Sequence, residues 1–516
     1  MRYRLGIDVG GTNTDAVLID ENMKVAAEVK RPTTEDVYSG ILDAVKTILD
    51  TSKIDKSKIK QAMLGTTQCT NAIVERKNLA KIGVLRFGAP ASCEIQPMVD
   101  WADDLRELVL ESAIIGGGFE HDGKEIAPFD EDAARAFFQK LKNRVNSVAI
   151  SCVFSAVRND HEIRAAELCK EVLGDSVHVS ISSEIGSMGL VERENATILN
   201  AMLHEVAQRI TSGFADSLKA LGVTEADVYL SQNDGTLMTM EYARRYPVLT
   251  IACGPTNSIR GASYLSSLTD AVVVDVGGTT TDLGMLQKGF PRESSVAVTI
   301  GGVRTNFRMP DIVSIGLGGG SIVREKGGEI TVGPDSVGYR ITEKALVFGG
   351  DVLTATDIAV RLGMADIGDR AKVAHIDEAF AKRALSVIKA LVEETIDAIK
   401  VSSDDVDVIL VGGGSVILPN NLSGTNNVIS PQYFGAANAI GSAIAKVSGT
   451  YEKLISFDEV PREQALKQAK DGAIALAVES GADPDKIEII DVEDTPLSYY
   501  PGNTSRVKVK AAGDLI

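Results

Sequence analysis

The sequence lacks most of the features that mark membrane and secreted proteins. Its 516 residues contain only five cysteines, which are scattered and form no C-x-x-C pair. No run of eighteen apolar residues is present, which excludes a membrane-spanning helix. The opening MRYRLGIDVGG has no apolar signal-peptide segment. Because isolated thiols are typical of a reducing compartment, we expect a cytoplasmic protein.

Positive charge does not balance negative charge, since 53 Lys and Arg stand against 71 Asp and Glu and the formal net charge is −18. An acidic surface repels nucleic acid and anionic lipid, so we expect neither as a partner. The five histidines form no H-x-x-x-H pair, which argues against a metalloprotease. The segment 118–124 resembles a Walker A loop, but Glu125 stands where Ser or Thr would bind Mg²⁺.

Glycine is abundant, with 48 residues, and the most informative glycines lie in a repeat. The segment IDVGGTNTD at 7–15 returns as VDVGGTTTD at 274–282. Each copy predicts a β-hairpin whose glycine turn exposes backbone N–H groups, with glycine allowing φ > 0 and the close approach of an anion. One copy alone would fit an ordinary hairpin. Two copies, each opening a three-strand run, favour a clamp for a nucleotide triphosphate and its metal.

The repeat assigns roles to its residues. We expect Asp8 and Asp275 to be catalytic and to face Mg²⁺, which takes oxygen ligands. We expect Asp15 and Asp282 to hold metal-bound water or to brace the turns. The predicted phosphate-binding residues are Gly10, Gly11, Thr12, Asn13, Thr14, Gly277, Gly278, Thr279, Thr280 and Thr281.

Three other turns carry candidate residues. Gly412, Gly413 and Gly414 follow an apolar strand, and such a turn lets a planar ring or a phosphate approach the backbone. The segment 310–321 ends in a triple glycine and predicts either an anion site or a mobile loop, with Asp311 as a catalytic candidate at its start.

The third of these turns, 65–71, is rich in hydroxyl groups and predicts a helix cap or a ligand contact. Its Cys69 is either reactive or, as we favour, a small buried thiol.

The order of predicted elements indicates an α/β fold with two ribonuclease H-like halves around a nucleotide cleft. Each half starts with three strands and continues with alternating helices and strands, and a helix over about 34–50 has a possible capping box at Thr33 and Asp36. The predicted divisions are 1–190 with an inserted lobe near 88–130, a bridging helix at 191–222, a second half at 223–450 and a small α+β extension at 451–516.

Seven blocks in this order resemble the ATP-binding A-type subunit of the hydantoinase/oxoprolinase family, a branch of the ASKHA superfamily of actin, sugar kinases and chaperones. The blocks are GIDVGGTNTDAV, LGTTQCTNAIVER, SSEIGSMGLVERENATILNAML, YLSQNDGTLMT, ACGPTNSIRGA, VVDVGGTTTDLG and PDIVSIGLGGGSI. The resemblance implies ATP and Mg²⁺ as cofactors. It also implies ATP-dependent opening of a hydantoin, 5-oxoproline or related lactam through phosphorylation of the ring carbonyl, often with a B-type partner subunit.

The chain departs from the family pattern at a few positions. Asn13 stands where many members carry Phe, Cys253 stands where Ser is usual, and the chain is shorter than typical A subunits. Glu192 and Arg193 are either cleft residues or an exposed pair. A homo-oligomer is also left open.

Three other functions compete with lactam opening. A small-molecule kinase would keep the phosphate on its product. An ATP-gated binding module would need a C-terminal peptide-binding β-domain, for which the last sixty residues are too short. A reductase activator would need cysteines for an iron–sulfur cluster, and the scattered cysteines argue against it.

Overall fold

The computed structural model describes residues 2–33, 37–186, 188–294, 298–306, 309–498, 500 and 502–516. The opening segment forms two long strands and a third, followed by helix, strand and helix. The alternating apolar runs of β1 and β2 are almost wholly buried, because helices cover both faces of their sheet. These elements are β1 (Tyr3–Val9), β2 (Asn13–Asp20), β3 (Val25–Pro32), α1 (Val37–Ser52), β4 (Ile59–Thr66) and α2 (Gln68–Glu75). Asp36 of the predicted capping box lies outside the described residues.

Residues 82–181 form a separate four-stranded sheet in which all strands are parallel, in the order β6-β5-β7-β8. It has its own core, which includes Phe87, Phe119 and Phe138. The insertion predicted near 88–130 covers only part of this unit. Its elements are β5 (Ile82–Ala89), α3 (Asp103–Arg106), β6 (Val109–Gly116), α4 (Glu131–Leu141), β7 (Ser147–Cys152), α5 (Asp160–Leu173) and β8 (His178–Ile181).

The long helix α6 follows this unit and leads back to the first sheet. Strand β9 pairs in parallel with β4, so the first sheet contains the order β3-β2-β1-β4-β9. The residues 223–239, predicted to belong to the second half, thus pair in the first sheet. The elements are α6 (Leu190–Ala220), β9 (Asp227–Ser231), β10 (Leu237–Thr239), α7 (Met240–Arg245) and α8 (Cys253–Ser266).

The second repeat opens a second sheet with the corresponding order, β13-β12-β11-β19-β20, and the corresponding directions. Strand β16 also pairs with β12. The helices α10 and α11 cover one face of this sheet. The elements are β11 (Ala271–Val276), β12 (Thr281–Gln287), β13 (Phe290–Pro291), β14 (Val298–Ile300), β15 (Val303–Thr305), β16 (Ile312–Ile315), β17 (Ser321–Lys326), β18 (Glu329–Ser336), α9 (Ile341–Lys344), α10 (Ala355–Arg361), α11 (Glu378–Ile399), β19 (Val406–Val411) and β20 (Thr425–Ile429).

The last part of the chain returns to the first sheet. Strand β21 pairs with β10, and β23 and β22 extend the sheet to nine strands. The segment predicted as a small extension thus completes the sheet that the first residues begin. Its elements are α12 (Ala437–Ile444), β21 (Val447–Ser456), α13 (Arg462–Glu479), β22 (Ala482–Pro496) and β23 (Thr504–Leu515).

Two helices, α12 and α8, form the layer between the sheets. Helix α12 packs on β1 and β2, and α8 packs on β11 and β19. The helices approach closely because Gly261 faces the backbone of Ala437, and Gly441 faces that of Asn257. A Cβ at either glycine would overlap the opposite backbone, so the distance between the sheets depends on these positions.

Within the described part of the chain, every helix is too short or too polar to cross a membrane.

Candidate functional site

Four residues form a row across the first sheet at the turn end of its strands. Asp8 on β1 opposes Gly65 on β4 and Asp15 on β2, and Asp15 in turn opposes Lys30 on β3. Directly opposed residues project from the same face of a sheet. Gly65 leaves room for the row, since a Cβ there would lie 2.7 Å from Asp8 Oδ1 and 2.6 Å from Asn257 Nδ2.

The second sheet contains the corresponding row. Asp275 on β11 opposes Val411 on β19 and Asp282 on β12, and Asp282 opposes Ser314 on β16. The Ser314 hydroxyl donates a hydrogen bond to Asp282. The four predicted aspartates are therefore arranged as two equivalent pairs, one in each sheet.

The two repeat turns have the same internal hydrogen bond and face each other. The N–H of Gly10 donates to the carbonyl of Asn13 at 3.0 Å, and that of Gly277 donates to the carbonyl of Thr280 at 2.9 Å. The turns meet where the Thr12 side chain covers Gly278, at which a Cβ would lie 3.1 Å from Thr12 Oγ1.

The expected role of φ > 0 at these glycines is wrong. None of Gly10, Gly11, Gly277 and Gly278 has φ in the left-handed region. Close approach instead accounts for the glycine at position 278, whereas a Cβ on Gly11 would meet no atom within 4 Å. The space over Gly11 is therefore open to a ligand.

Thr14 and Thr281 point away from the cleft, which corrects their predicted role in binding phosphate. Because side chains alternate along a strand, these residues lie on the sheet face opposite to Asp15 and Asp282. Their hydroxyls bond inside the fold, Thr14 with Thr33 at 3.3 Å and Thr281 with the carbonyl of Leu317 at 2.7 Å.

The triple glycine of 318–320 supports the second turn and does not bind an anion through its amides. The N–H of Gly319 donates to the carbonyl of Gly277 at 3.0 Å, and that of Gly320 donates to the carbonyl of Gly278 at 2.7 Å. The N–H of Gly318 donates to Ser321 Oγ at 2.8 Å. All three amides are used within the protein, so this segment fixes the shape of the second turn.

The turn of residues 412–414 packs against the second repeat turn. The N–H of Gly414 donates to the carbonyl of Val276 at 2.7 Å, and that of Gly412 donates to the carbonyl of Phe434 at 2.9 Å. Gly412 has φ +83°, and a Cβ there would overlap Asp275, so both the backbone conformation and the lack of space require glycine at this position.

Several turn amides, including five at the tips of the repeat turns and of the 412–414 turn, remain available to a ligand. In the part of the chain that the structure describes, their N–H groups donate to no other residue. Backbone amides that converge in this way form an anion site. The five amides are those of Gly11, Thr12, Gly278, Thr279 and Gly413.

The environment of the carboxylates in the two rows disfavours their charged form. Burial, with the Asp15 carboxylate adding to the shift, raises the pKa of Asp8 to about 7. Burial, with the Asp282 carboxylate next, raises the pKa of Asp275 to about 6. Burial also raises the pKa of Asp15 and that of Asp282 above the usual range. Four crowded carboxylates of this kind favour a cation between them.

The site includes residues that the sequence motifs do not indicate. Lys30 Nζ lies 2.8 Å from Asp15 Oδ2, and Asn438 on α12 donates to Asp8 Oδ2 at 3.4 Å. On α8, Asn257 lies beside Gly65, and Ser258 is close enough to Asp275 to lower its pKa. The placement of Lys30 opposite Asp15 depends on a register shift between Leu18 and Ile19, and the placement of the helix residues depends on tertiary packing.

Asp311 lies apart from the two rows. It directly precedes the first residue of β16, whereas Ser314 lies near the other end of that strand. Its carboxylate pairs with Arg292. Nε of Arg292 donates to Asp311 Oδ2 at 2.9 Å. We therefore leave Asp311 out of the proposed catalytic set.

The candidates at the start of α6 are not an exposed pair. Arg193 is 2% exposed, and its guanidinium donates to the carbonyl of Cys152 at 2.9 Å and to Ser182 Oγ at 3.0 Å. Glu192 instead pairs with Arg304 at 3.3 Å. These contacts join α6 to the parallel unit and to the hairpin β14–β15.

Cys69 is a buried thiol, as we favoured from the sequence. It is 1% exposed, and burial raises the pKa of its thiol to about 11, which suppresses the reactive thiolate.

Two cavities adjoin the 412–414 turn. One, of about 380 Å³, is lined by apolar Met364, Val416 and Leu418 together with polar groups that include Asn420. The other, of about 320 Å³, is lined by Asp15 and Lys30 on one side and by the segment 433–436 on the other. Phe434 borders both cavities.

The residues present fit a magnesium ion. Oδ1 of Asp8 and Oδ1 of Asp15 are buried and accept no hydrogen bond from any described residue. Mg²⁺ takes oxygen ligands, keeps several waters and is usually held by one or two carboxylates and the phosphates of a substrate. The donor set of the two rows is of this chemistry.

Known proteins resemble this chain over most of its length. The caprolactamase subunit alpha of Pseudomonas jessenii is 28% identical over 382 residues, which are 70% of this chain and 54% of that protein. The acetophenone carboxylase gamma subunit of Aromatoleum aromaticum is 26% identical over 393 residues, 70% of this chain and 53% of that protein. The chain thus spans about half the length of these curated relatives.

A solved structure shows the same fold. The ATP-dependent caprolactamase from Pseudomonas jessenii superposes with a TM-score of 0.78 at 23% identity, covering 99% of this chain and 87% of that one. The family model for the hydantoinase/oxoprolinase N-terminal region matches residues 4–173, and the model for hydantoinase/oxoprolinase matches residues 193–367. The chain belongs to the hydantoinase/oxoprolinase family.

Proposed function

We propose that the protein is an ATP-dependent hydrolase that opens a cyclic amide by phosphorylating its ring carbonyl. The observation that carries the proposal is the pair of equivalent aspartate rows, whose repeat turns meet at Thr12 and Gly278. The repeated five-strand order supports two ribonuclease H-like halves with ATP between them.

The triphosphate of ATP lies between the two repeat turns in this proposal. The amides of Gly11, Thr12, Gly278 and Thr279 bind its oxygens, as backbone donors bind phosphate elsewhere. The turn at 412–414 and the cavity of about 380 Å³ beside it receive the adenosine, because the apolar wall suits a planar base and the polar rim can fix its edge.

Asp8 and Asp275 are the residues we propose to hold Mg²⁺, directly or through water, with Asp15 and Asp282 behind them. The ion would supply neutralisation of phosphate charge. The carboxylates themselves position water, and their fixed placement in two sheets limits the reorganisation needed during transfer.

The reaction follows from the chemistry of an amide. The ring carbonyl oxygen attacks the γ-phosphorus, the bond to ADP breaks, and the ring N–H loses its proton. Water then adds to the activated carbon, the nitrogen regains a proton, and the ring C–N bond breaks. A second water releases phosphate, so that each turnover yields the opened product, ADP and phosphate. Phosphorylation removes the amide resonance that otherwise protects the ring.

Support for a lactam as substrate comes from the caprolactamase relative, and the subunit names of both relatives support a partner such as a B-type subunit. The decisive experiment is a screen of cyclic amides for ATP-dependent phosphate release, with and without the product of the neighbouring reading frame. Ring opening coupled to phosphate release is expected. Phosphate that stays on the product would instead identify a kinase.

A second candidate is ATP-dependent activation of a ketone carbonyl for carboxylation. The acetophenone carboxylase relative is 26% identical, against 28% for the caprolactamase relative, so the sequence similarity hardly separates the two activities. Phosphate release that depends on a ketone and bicarbonate, and not on a lactam, would favour it.

The ATP-gated binding module loses support. It requires a peptide-binding β-domain near the C-terminal end, and the described strands of 447–515 are instead part of the first sheet.

A further inference from the structure

Lys30 occupies a special place in the first row. It is the cross-strand partner of Asp15, and its ammonium lies 2.8 Å from Asp15 Oδ2. Its side chain is 41% exposed, so the charge reaches the cleft although the carboxylate it contacts is only 11% exposed. The corresponding residue of the second row is the uncharged Ser314.

The Lys30 ammonium also reaches toward the second half. A Cβ on Gly413 would lie 3.9 Å from Lys30 Nζ. Gly413 is one of the turn residues whose N–H donates to no other described group. The lysine charge and this amide therefore border the same space, between the first row and the turn proposed to receive the nucleotide.

Lys30 faces an excess of negative charge. It opposes the upward pKa shifts of Asp8, Asp15 and Asp275, and Glu28 on the same strand carries a further carboxylate. A lysine ammonium is a compact point charge on a flexible stem, well suited to exchange between a carboxylate and a phosphate oxygen.

We propose that Lys30 is a phosphate-contact residue, whose ammonium moves from Asp15 to the β- and γ-phosphate oxygens when nucleotide binds. This inference rests on the proposed ATP site. While the cleft is empty of nucleotide, Lys30 neutralises the first carboxylate pair. In the complex, it neutralises charge on the transferring group and leaves Asp15 to the metal.

The test compares nucleotides that differ in their phosphates. Calorimetry measures binding of MgADP and of AMP to the intact protein and to Lys30→Met. Loss of a charge-assisted contact weakens MgADP binding by about ten- to a hundredfold. AMP has no β-phosphate, so its affinity stays within about twofold, which also shows that the variant is folded. Lys30→Arg keeps the charge and restores most of the affinity.

Arg31→Met is the matched control. It removes the same charge from the neighbouring position, but Arg31 lies on the other face of the sheet and pairs with Asp43. It should leave the affinities for both nucleotides unchanged. If Arg31→Met lost as much MgADP affinity as Lys30→Met, the loss would reflect the overall charge of the protein and not a contact with phosphate. That result would overturn the proposal.

The outcomes separate this inference from the proposed function. If the unaltered protein binds neither nucleotide, the ATP site itself is refuted. If it binds both, and Lys30→Met keeps the same ratio of MgADP to AMP affinity, only the role of Lys30 is refuted. Should Lys30→Met lose AMP binding as well, the double variant Asp15→Asn with Lys30→Gln removes the unpaired buried carboxylate, and its ratio of MgADP to AMP affinity is compared with that of Asp15→Asn alone. A ratio equal in these two variants refutes the role of Lys30.

Discussion

The two aspartate rows have the same backbone arrangement but carry different charges. In the first sheet the row runs Gly65, Asp8, Asp15 and Lys30, and in the second sheet the matching positions are Val411, Asp275, Asp282 and Ser314. The inner carboxylates are common to both rows, whereas the outer position is a cation in one and a hydroxyl in the other. The comparison indicates that the two copies of the repeat keep the same positions for the carboxylates proposed to bind metal and differ in the residues around them.

The largest expected effect comes from removing the shared element of the rows. Asp8→Asn and Asp275→Asn should each lower ATP turnover about a hundredfold or more, because both remove charge from the proposed metal site. The measurement is phosphate release at saturating ATP. Asp50→Asn, the same change on an exposed face of α1, should leave the rate unchanged. If only one of the two aspartates matters, the equivalence of the rows fails.

The second-largest expected effect is a pH dependence of the free energy of unfolding, to which the two rows contribute unequally. Both carboxyls have a pKa above the usual value, about 7 for Asp8 and about 6 for Asp275, so the folded protein holds protons that the unfolded chain releases near pH 4. Without metal or nucleotide, the free energy of unfolding should therefore fall, by on the order of a few kcal/mol, as pH rises from about 4 to about 7, and then level off.

Urea unfolding with chelator across this pH range measures the effect. Asp8→Asn should remove more of the slope than Asp275→Asn, since its pKa is shifted further. A stability that rises with pH between 5 and 7 would contradict the raised pKa values, and an equal loss of slope in Asp8→Asn and Asp275→Asn would contradict the difference between the rows.

The third prediction concerns the first residue of each row, which is Gly65 in the first sheet and Val411 in the second. Val411 tolerates a side chain where the first row has Gly65, at which a Cβ would lie within 2.7 Å of Asp8 Oδ1. Gly65→Ala should cost about 1–3 kcal/mol of unfolding free energy by overpacking. Gly11→Ala adds the same methyl group where no atom lies within 4 Å and should leave stability nearly unchanged. Equal costs in the two variants would show that the crowding at Gly65 is unimportant.

The smallest effect concerns the outer residue of the second row. Ser314→Ala removes one hydrogen bond to Asp282 at an exposed position and should cost about 0.5–1.5 kcal/mol of unfolding free energy. Thermal unfolding measures it beside Lys30→Met. A cost for Ser314→Ala larger than that for Lys30→Met would mean that the hydroxyl braces its row more strongly than the ammonium does.

The local parts of the fold and site could be predicted from the sequence. The two hairpins, the four aspartates and helix α6 follow from short patterns of apolar residues, glycine and acid. Thr14 and Thr281 belong to the repeat motif, but strand alternation turns their side chains to the face opposite to Asp15 and Asp282. Counting residues back from the Ile19–Val25 pair beside the β2–β3 turn places Val29 opposite Asp15, and only the register shift between Leu18 and Ile19 brings Lys30 there.

Long-range pairing was not predictable in the same way. Strand β5 has the buried apolar pattern of β4, and only its neighbours show that it belongs to another sheet. The contact between Asn438 and Asp8 joins residues far apart in sequence and depends on how α12 crosses β1. Nothing in the composition of 447–515 indicates that these residues pair with β10.

The return of the chain to its first sheet has a consequence for synthesis on the ribosome. Strands β1 to β4 emerge early, but their sheet gains β21 to β23 only after the entire second sheet has been translated. Until then the outer edge of β10 has no partner strand, and its unpaired backbone groups can associate with other chains. We expect nascent chains that stop before residue 447 to need protection from aggregation, although they already contain both aspartate rows.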